Sequence, residues 1–364
     1  MADQSICDAE ELLLKRSVTF SELRDAIRGD ASDATFENLL FNPDFAISQR
    51  GATFDSTTFQ ANNDGNYTFD RWVLLSDGND IVDVSQDVAN RPPRGKNAAK
   101  LEVETANKKF GLLQVLESDI SAAFASQPVS LSLQAKIGGS NATLETIRVG
   151  ILEWTGTADS VTLDVVSAWG VAGADPTLAA NWAYLNTPSN ITLSSSYLSI
   201  SVENVTLGSG INNLAVFIWV DDTDATVDDQ LFLGNLKLEA NAVATAFTAP
   251  QTPTELQRCM RYFQLYNGGY VNVATSSSVW LNVRFPVDMR VPPTKYVPEE
   301  ISLSDDHAVN YTSSGITVLS SSGNNMGGRT VLLGGFSGLT TVANGLSNTL
   351  SWIGGNNIWL DAEL

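Results

Sequence analysis

LFLGNLKLEANAVATAFTAPQTPTELQRCMRYFQLYNGGY, residues 231–270, contains a predicted strand, a linker and a predicted helix in that order. Leu231 and Leu233 alternate with their neighbours, and Leu236 and Leu238 alternate again one residue out of phase. A phase slip at Gly234-Asn235 predicts a β-bulge, because a bulge adds one residue to one strand and Gly is common there. We interpret the whole stretch as the hinge between two β-rich domains.

The helix in this stretch is predicted from its start signal and its spacing. Thr252-Pro253-Thr254-Glu255 matches a capping box with proline at the first helical position. Apolar residues then recur at helical intervals as Leu256, Cys259, Met260 and Phe263, which predicts one buried face with Cys259 as a small core residue. We expect the helix to stop at Asn267-Gly268-Gly269.

The chain before the hinge is predicted to form a β-sandwich. Residues 129–137 alternate apolar and polar side chains, and 147–152 and 161–165 resemble further strands. Residues 214–220 are continuously apolar, which favours a central strand covered on both faces, and 116–125 is predicted to include a short helical turn. We therefore expect a mainly β chain, with a sandwich of many short strands before the hinge.

The two ends of the chain complete the predicted organisation. Residues 1–30 are helix-like, and Phe20, Leu23 and Ile27 form an apolar stripe on a helix too short to be stable alone. From Val279 to Val291 every second residue is apolar, which predicts a strand in a smaller C-terminal β domain, with Pro286 marking a bulge or an edge.

Charge and composition exclude several classes of partner. The 364 residues carry a formal net charge of −20, which argues against nucleic acid and anionic membrane surfaces as partners. No stretch of about 18 apolar residues predicts a membrane span. The acidic N-terminus does not match a secretory signal peptide.

Five short stretches together resemble a family of tailed-bacteriophage virion proteins, the fibre and minor structural proteins that contain a carbohydrate-binding-module-like jelly roll. They are listed here in chain order: NLLFNPDFAISQRG (38–51), FDRW (69–72), LKLE through ELQRCMRYFQ (236–264), FPVDMRVPPT (285–294) and LDAEL (360–364). The resemblance covers roughly residues 36–364 and narrows the expected sandwich to a jelly roll. It divides the chain into an N-terminal helical attachment segment (1–34), a jelly roll (35–250), and a linking helix with a C-terminal β domain (251–364).

The resemblance also implies a function. We expect a virion component, most simply a fibre that attaches to other virion proteins through Phe20, Leu23 and Ile27 and displays its β domains towards host-surface glycans. Homotrimerisation is implied by the resemblance alone, and such a protein would be assembled in the bacterial cytoplasm and released by lysis. Two alternatives stay open: a stand-alone carbohydrate-binding protein and a polysaccharide depolymerase.

Aromatic residues in a polar, Gly- and Ala-rich run are the candidates for glycan stacking. Trp169, Trp182 and Tyr184 lie in SAWGVAGADPTLAANWAYLN (167–186), whereas Trp72 and Trp219 are expected in the core. An interior position for the first three is the competing interpretation. Arg71, within FDRW, is expected to be structural.

Catalytic and metal sites receive little support. A single histidine, His307, and two separated cysteines, Cys7 and Cys259, provide neither a nucleophilic triad nor a zinc site, so we predict no enzyme, metal or cofactor. A glycosidase needs only two carboxylates, but the sequence singles out no pair. The acidic run from Asp221 to Asp229 is expected to be a solvated turn, with a calcium loop as the alternative.

Overall fold

The computed structural model describes residues 37–58, 61–139, 143–221 and 225–266, and then a series of C-terminal segments. These segments are 270–275, 278–284, 286–291, 293–296, 301–304, 310–312, 324–326, 329–337, 350–355 and 358–364. The predicted N-terminal helix with Phe20, Leu23 and Ile27 lies outside the described residues, and so does His307.

Two six-stranded antiparallel sheets form the sandwich. Sheet A has the order β1-β3-β4-β14-β6-β12, formed by Thr53–Phe54, Val82–Asp87, Ala98–Val103, Gln230–Glu239, Pro128–Gly138 and Leu198–Thr206. Sheet B has the order β10-β7-β13-β5-β2, with β11 also paired to β7, formed by Trp182–Tyr184, Thr146–Trp154, Asn213–Val220, Phe110–Val115, Val73–Ser76 and Ile191–Thr192. Strands β4 to β7 alternate between the two sheets, and so do β12 to β14, as in a jelly roll, so the predicted fold class is confirmed.

Alternating side chains build the core between the sheets. On β6, Val129, Leu131, Leu133 and Ala135 are buried in one large apolar cluster with residues of sheet B. The short helix α1 (Ser118–Ala122) lies between β5 and β6, where a helical turn is predicted. Burial of apolar surface of this kind contributes about 25 cal/mol per Å² and is the main force that holds the two sheets together.

Strand β13 is buried on both of its faces, as its unbroken apolar sequence predicts. Leu214, Val216 and Ile218 join the cluster between the sheets, whereas Phe217 and Trp219 join a second cluster on the other side of sheet B. The outer cluster is covered by residues 155–181, which we call the covering segment and which contain strands β8 (Val166–Ala168) and β9 (Thr177–Leu178).

The hinge differs in part from its prediction. The bulge is confirmed, because the register between β14 and β6 shifts between Gly234 and Lys237. Helix α2 (Thr252–Met260) forms, but it ends earlier than predicted and is followed by strand β15 (Phe263–Tyr266). The predicted capping box is wrong, because the N-cap is Gln251 without a side-chain cap bond. The carboxylate of Glu255 instead accepts a hydrogen bond from the backbone N–H of Asn42 at 2.6 Å.

Two sheets follow the hinge. Strand β15 pairs with β24 (Ile358–Asp361), which also pairs with β18 (Thr294–Tyr296). A seven-stranded sheet has the order β20-β19-β23-β16-β17-β22-β21, formed by Asn310–Thr312, Ile301–Ser304, Leu350–Gly355, Tyr270–Thr275, Ser278–Arg284, Arg329–Ser337 and Asn324–Met326. The predicted strand at 279–291 is therefore confirmed only up to Arg284, two residues before the proline that was expected to disturb it.

Candidate functional site

The three aromatic candidates for glycan stacking pack against the protein itself. Trp182 is 6% exposed, stands 5.3 Å from the ring of Trp154, and donates its indole N–H to the carbonyl of Thr162. The ring of Trp169 lies 6.0 Å from that of Phe217, with the two ring planes tilted by 55°. Stacking of a sugar on Trp182 would require the covering segment to move, and glycan binding by these residues stays a prediction.

Tyr184, the third candidate, is half-buried beside them. Its ring lies 6.1 Å from that of Trp219, and its hydroxyl donates a hydrogen bond to the carbonyl of Pro176 at 3.1 Å. Burial, with a contribution from Asp175, raises the pKa of this hydroxyl, so it is a neutral donor at physiological pH. The predicted strand at 161–165 is wrong, because these residues cross the outer apolar cluster as irregular chain in front of β8.

The carboxylates at the two ends of the acidic run are buried rather than solvated, which corrects the prediction. Asp221 is 0% exposed and pairs with Lys109 at 2.9 Å and with Arg148 at 3.4 Å. Asp229 accepts hydrogen bonds through one oxygen from Thr143 and Thr226, which closes the loop. Carboxylate oxygens are the ligands that a calcium ion prefers, and here donors from the protein itself bind to both carboxylates.

A groove on the outer face of sheet A is the candidate site that the structure adds. Its volume is about 390 Å³, within the range of ligand sites in proteins. The floor comes from the outward-facing residues of β6 and β12, and the two walls come from the loop at 91–95 and the segment at 244–247. We call this the outer groove; its lining includes Pro93, Arg94, Ser132, Gln134, Ser199, Ser201, Glu203, Asn235, Thr245 and Phe247.

The floor is polar because the strands send their apolar residues inwards. Ser201 lies directly opposite Ser132, and Ser199 lies opposite Gln134, so four polar side chains stand side by side on this face of the sheet. The Gln134 amide donates to the Ser199 hydroxyl at 3.1 Å. Within the described residues the hydroxyls of Ser132 and Ser201 have no hydrogen-bond partner. Each hydroxyl can therefore donate one hydrogen bond and accept others.

The bulge fixes the first wall. Asn235, the bulge residue, has a left-handed backbone with φ 53°, and its amide donates to the Pro93 carbonyl at 2.7 Å and to Gln134 at 2.6 Å. The loop approaches so closely that a Cβ on Gly95 would lie 2.5 Å from the Asn235 side-chain oxygen. Immediately before the loop, Asn90 accepts a hydrogen bond from Lys136 at 2.9 Å.

The second wall is fixed by a buried ion pair. Lys237 and Glu239, both on β14, pair at 3.1 Å and are nearly inaccessible to solvent. Glu239 accepts hydrogen bonds from the backbone N–H and hydroxyl of Thr245 at 2.6 and 2.8 Å, and Glu203 accepts one from the N–H of Ala244. Both walls are therefore set before any ligand arrives, which lowers the entropic cost of binding.

The five family-like stretches meet at one place beneath the sandwich, which we call the junction. Arg71 of FDRW forms a buried ion pair with Glu363 of LDAEL, and its guanidinium lies 3.7 Å from the ring centre of Tyr262. Arg290 of FPVDMRVPPT donates to the carbonyls of Ala362 and Glu363. Arg71 is therefore structural, as predicted.

The first stretch closes the junction from the other side. Arg50 pairs with Glu363 at 3.2 Å and covers the ring of Phe263 at 3.7 Å. Gln49 donates to the Asp70 carboxylate and to the Phe263 carbonyl. Burial raises the pKa of Asp70, an effect that Arg50 opposes. The junction is filled by these mutual contacts, and the division into domains stays a prediction.

The outer groove was missed from the sequence, although two signals for it were present. Ser130, Ser132 and Gln134 alternate with the apolar residues of β6, which identifies an outward polar row but not what stands beside it. The phase slip at Asn235 predicts a bulge but gives no hint that the loop at 91–95 folds onto it.

In the described part of the chain, no helix is long and apolar enough to cross a membrane. Likewise, no group of three or more His, Cys, Asp or Glu side chains in that part is placed to hold a metal ion.

Comparisons with known proteins show distant structural similarity only. No family model and no curated protein sequence matches the chain. Among solved structures, the enzymatically active domain of tailspike protein 4 from bacteriophage CBA120 aligns at 11% identity and a TM-score of 0.34, covering 56% of this chain and 21% of that one.

Two carbohydrate-binding modules align over most of their own length. TmCBM61, solved with β-1,4-galactotriose, aligns at 11% identity and a TM-score of 0.32, covering 56% of this chain and 99% of that one. The CBM22-1 xylan-binding domain of Xyn10C from Paenibacillus barcinonensis aligns at 10% identity and a TM-score of 0.34, covering 58% and 98%. Because these scores are low, the jelly-roll assignment is based on the sheets described above.

Proposed function

We propose that this chain is a structural component of a tailed-phage virion, a fibre or fibre-like protein whose jelly roll binds host-surface glycan through the outer groove. The observation that carries the binding part is the preformed groove itself, whose floor has hydroxyls without a partner among the described residues and whose walls both carry apolar groups.

The groove has the chemistry that sugars require. A sugar ring presents hydroxyls around its edge and C–H groups on its faces. The hydroxyls of Ser132 and Ser201 match the edge, because each can both donate and accept. Phe247 and Pro93 on the two walls match the faces, where aromatic and aliphatic surfaces contact C–H groups.

The proposed role is binding without turnover. Hydrolysis of a glycosidic bond requires two carboxylates on either side of the bond. Among the residues that line the outer groove, Glu203 supplies the one carboxylate, and the N–H of Ala244 already donates to it at 3.0 Å.

The virion role is supported by the family-like stretches and by the contacts that they make with one another at the junction. Residues that are far apart in the chain converge on the junction, so their order and spacing serve a single structural purpose. We propose that Phe20, Leu23 and Ile27 attach the chain to other virion proteins, that the functional unit is a homotrimer, and that the protein resides in the virion. Light scattering that gives the mass of one chain at micromolar concentration would contradict the trimer.

A pair of tryptophan substitutions tests the binding site. Ser201→Trp places a large ring over the groove floor, whereas Ser160→Trp places the same ring at an exposed position outside the groove. Binding is measured on an array of bacterial surface polysaccharides that also carries β-1,4-galactan and xylan. We expect Ser201→Trp to lose at least about tenfold in affinity, a cost of about 1.4 kcal/mol, and Ser160→Trp to bind like the wild type.

The two parts of the proposal fail separately. Equal binding by Ser201→Trp and the wild type would remove the outer groove as the site, and absence of binding to every polysaccharide would remove the glycan role. Negative-stain imaging of virions labelled with an antibody to this chain tests the virion role, and unlabelled particles would contradict it.

A further inference from the structure

A second cleft lies on the other side of strand β12. Its volume is about 450 Å³, and its opposite wall is the segment that connects β10 to β11 in sheet B. We call it the edge cleft; its own lining includes Asn186, Thr187, Pro188, Ser189 and Ile191. Four residues of β12 line both the outer groove and the edge cleft, namely Ser199, Ile200, Ser201 and Glu203.

The position of β12 leaves the two clefts open to each other. It is the last strand of sheet A and pairs with β6 alone, so no described strand covers its outer edge. A bulge between Val202 and Val205, with Asn204 at φ 57°, interrupts its pairing with β6. A ligand that leaves the outer groove across β12 therefore enters the edge cleft directly.

The two clefts also offer the same chemistry. In the outer groove, the hydroxyls of Ser132 and Ser201 make no hydrogen bond with any described residue. In the edge cleft the exposed Thr187 and Ser189 side chains make no hydrogen bond with any described residue. Apolar groups stand beside both pairs, with Phe247 in the outer groove and the 40% exposed Leu198 in the edge cleft. A repeating ligand would meet similar groups along its whole length.

The charge of the residues that line the two clefts limits the kind of polysaccharide that can bind there. Arg94 and Glu203 are the charged residues among those that line either cleft. The cation Lys237 beneath the second wall is already paired with Glu239. The whole chain has a net charge of −20 and the lining offers one cation, so a polyanion would be repelled and most of its charges would find no cationic partner.

We infer that the outer groove and the edge cleft form one trough for an extended, neutral polysaccharide that runs around β12, an inference that rests on the proposed glycan-binding function. A single terminal sugar would fill one cleft and leave the other empty. A longer chain gains contacts in the second cleft, and those contacts add to its affinity.

The test uses length-fractionated oligosaccharides and paired variants of the full chain. The probes are the disaccharide and octasaccharide of the neutral polysaccharide that binds best on the array, with polygalacturonate as the anionic comparison. Thr187→Ala/Ser189→Ala alters the edge cleft, Ser132→Ala/Ser201→Ala alters the outer groove, and Ser160→Ala is the control. Titration calorimetry gives each affinity, and circular dichroism checks the fold of each variant.

The wild type should bind the octasaccharide at least about tenfold more tightly than the disaccharide, because the longer chain forms additional hydrogen bonds in the edge cleft. The edge-cleft variant should lose most of that preference while still binding the disaccharide normally. The outer-groove variant should bind both the disaccharide and the octasaccharide more weakly than the wild type does. Polygalacturonate should not bind to the wild type.

Four results would overturn the inference. Equal affinity for both lengths, or an edge-cleft variant that keeps the length preference, would refute the trough while the proposed function stands. Tighter binding of polygalacturonate than of the neutral octasaccharide would refute the inference that the ligand is a neutral polysaccharide. If no neutral polysaccharide binds at all, the proposed function and the inference fail together.

Discussion

Removing one carboxylate from the junction tests how the C-terminal end of the chain holds to the sandwich. Glu363 is the substitution site, because its carboxylate pairs with both Arg71 and Arg50. Glu363→Gln keeps the size of the side chain and removes its charge. The side chains of Arg71 and Glu363 are 1% and 4% exposed, so water cannot replace the lost partner.

The expected cost follows from this burial. Burial is the largest single effect and disfavours the charged form of Arg71, but Glu363, Tyr262 and Tyr67 together outweigh it, so the pKa of the guanidinium lies above its ordinary value. Removing one partner from a buried pair typically costs 3–5 kcal/mol. Arg71 keeps its hydrogen bond to the Val115 carbonyl and its contact with Tyr262, which places Glu363→Gln near the lower end, at about 3 kcal/mol.

Urea unfolding followed by tryptophan fluorescence measures the loss. The control is Asp77→Asn, which removes the partner of Lys108 from an exposed pair at 3.0 Å and should cost less than about 0.5 kcal/mol. Replacing both partners, as in Arg71→Met with Glu363→Leu, should cost less than the two single changes added together. If Glu363→Gln costs no more than Asp77→Asn, the junction does not hold the C-terminus as described.

Three further predictions concern charge, burial and assembly. Burial first, and then its acidic neighbours, raise the pKa of Asp83 to about 6, so its ionisation should destabilise the fold as pH rises from about 4 to 6. Asp83→Asn should therefore stabilise the protein by about 1 kcal/mol at pH 8, after allowance for solvent screening, and by almost nothing at pH 3.5, as measured by urea unfolding. In a Cys7→Ser background, the buried thiol of Cys259, whose pKa burial raises, should react with maleimide only after denaturant is added. Deleting residues 1–34 should preserve the β-sheet circular dichroism signal and abolish recovery in purified virions; normal recovery would place attachment in the β domains.

Much of the sandwich could be predicted from the sequence because local patterns report burial directly. The alternation on β6 indicates a strand with one covered face, and the unbroken apolar run of β13 indicates a strand with two. The phase slip at Gly234-Asn235 is equally local, because a bulge changes the side-chain period of the strand that contains it. In each case the strand itself carries the information.

Other side chains interact with residues that are distant in the chain, and a local sequence pattern does not predict such contacts. Thr252 and Glu255 have the spacing of a capping box, but Glu255 is used by Asn42, more than two hundred residues earlier in the chain. The same holds for Asp221, which looks solvated in its acidic run and is buried against Lys109. Side chains with strong distant partners therefore defeat predictions that consider only their neighbours.

The tryptophans show why composition alone misplaced the binding surface. Glycine- and alanine-rich chain around Trp169 and Trp182 resembles an exposed loop, yet it forms a layer that covers the apolar outer face of sheet B. With that face covered, sheet A is left to present an open surface, and the outward side chains that β6 and β12 contribute to the outer groove include serines and Gln134 rather than aromatic rings. A surface of this kind leaves little trace in an apolar pattern, because its signal is the absence of apolar residues at every second position of β6 and β12. The bulge at Asn235 then converts the polar face into a groove, since its amide ties the loop at 91–95 to the sheet. The one irregularity that the sequence does reveal in β14 is thus the feature on which the proposed site depends.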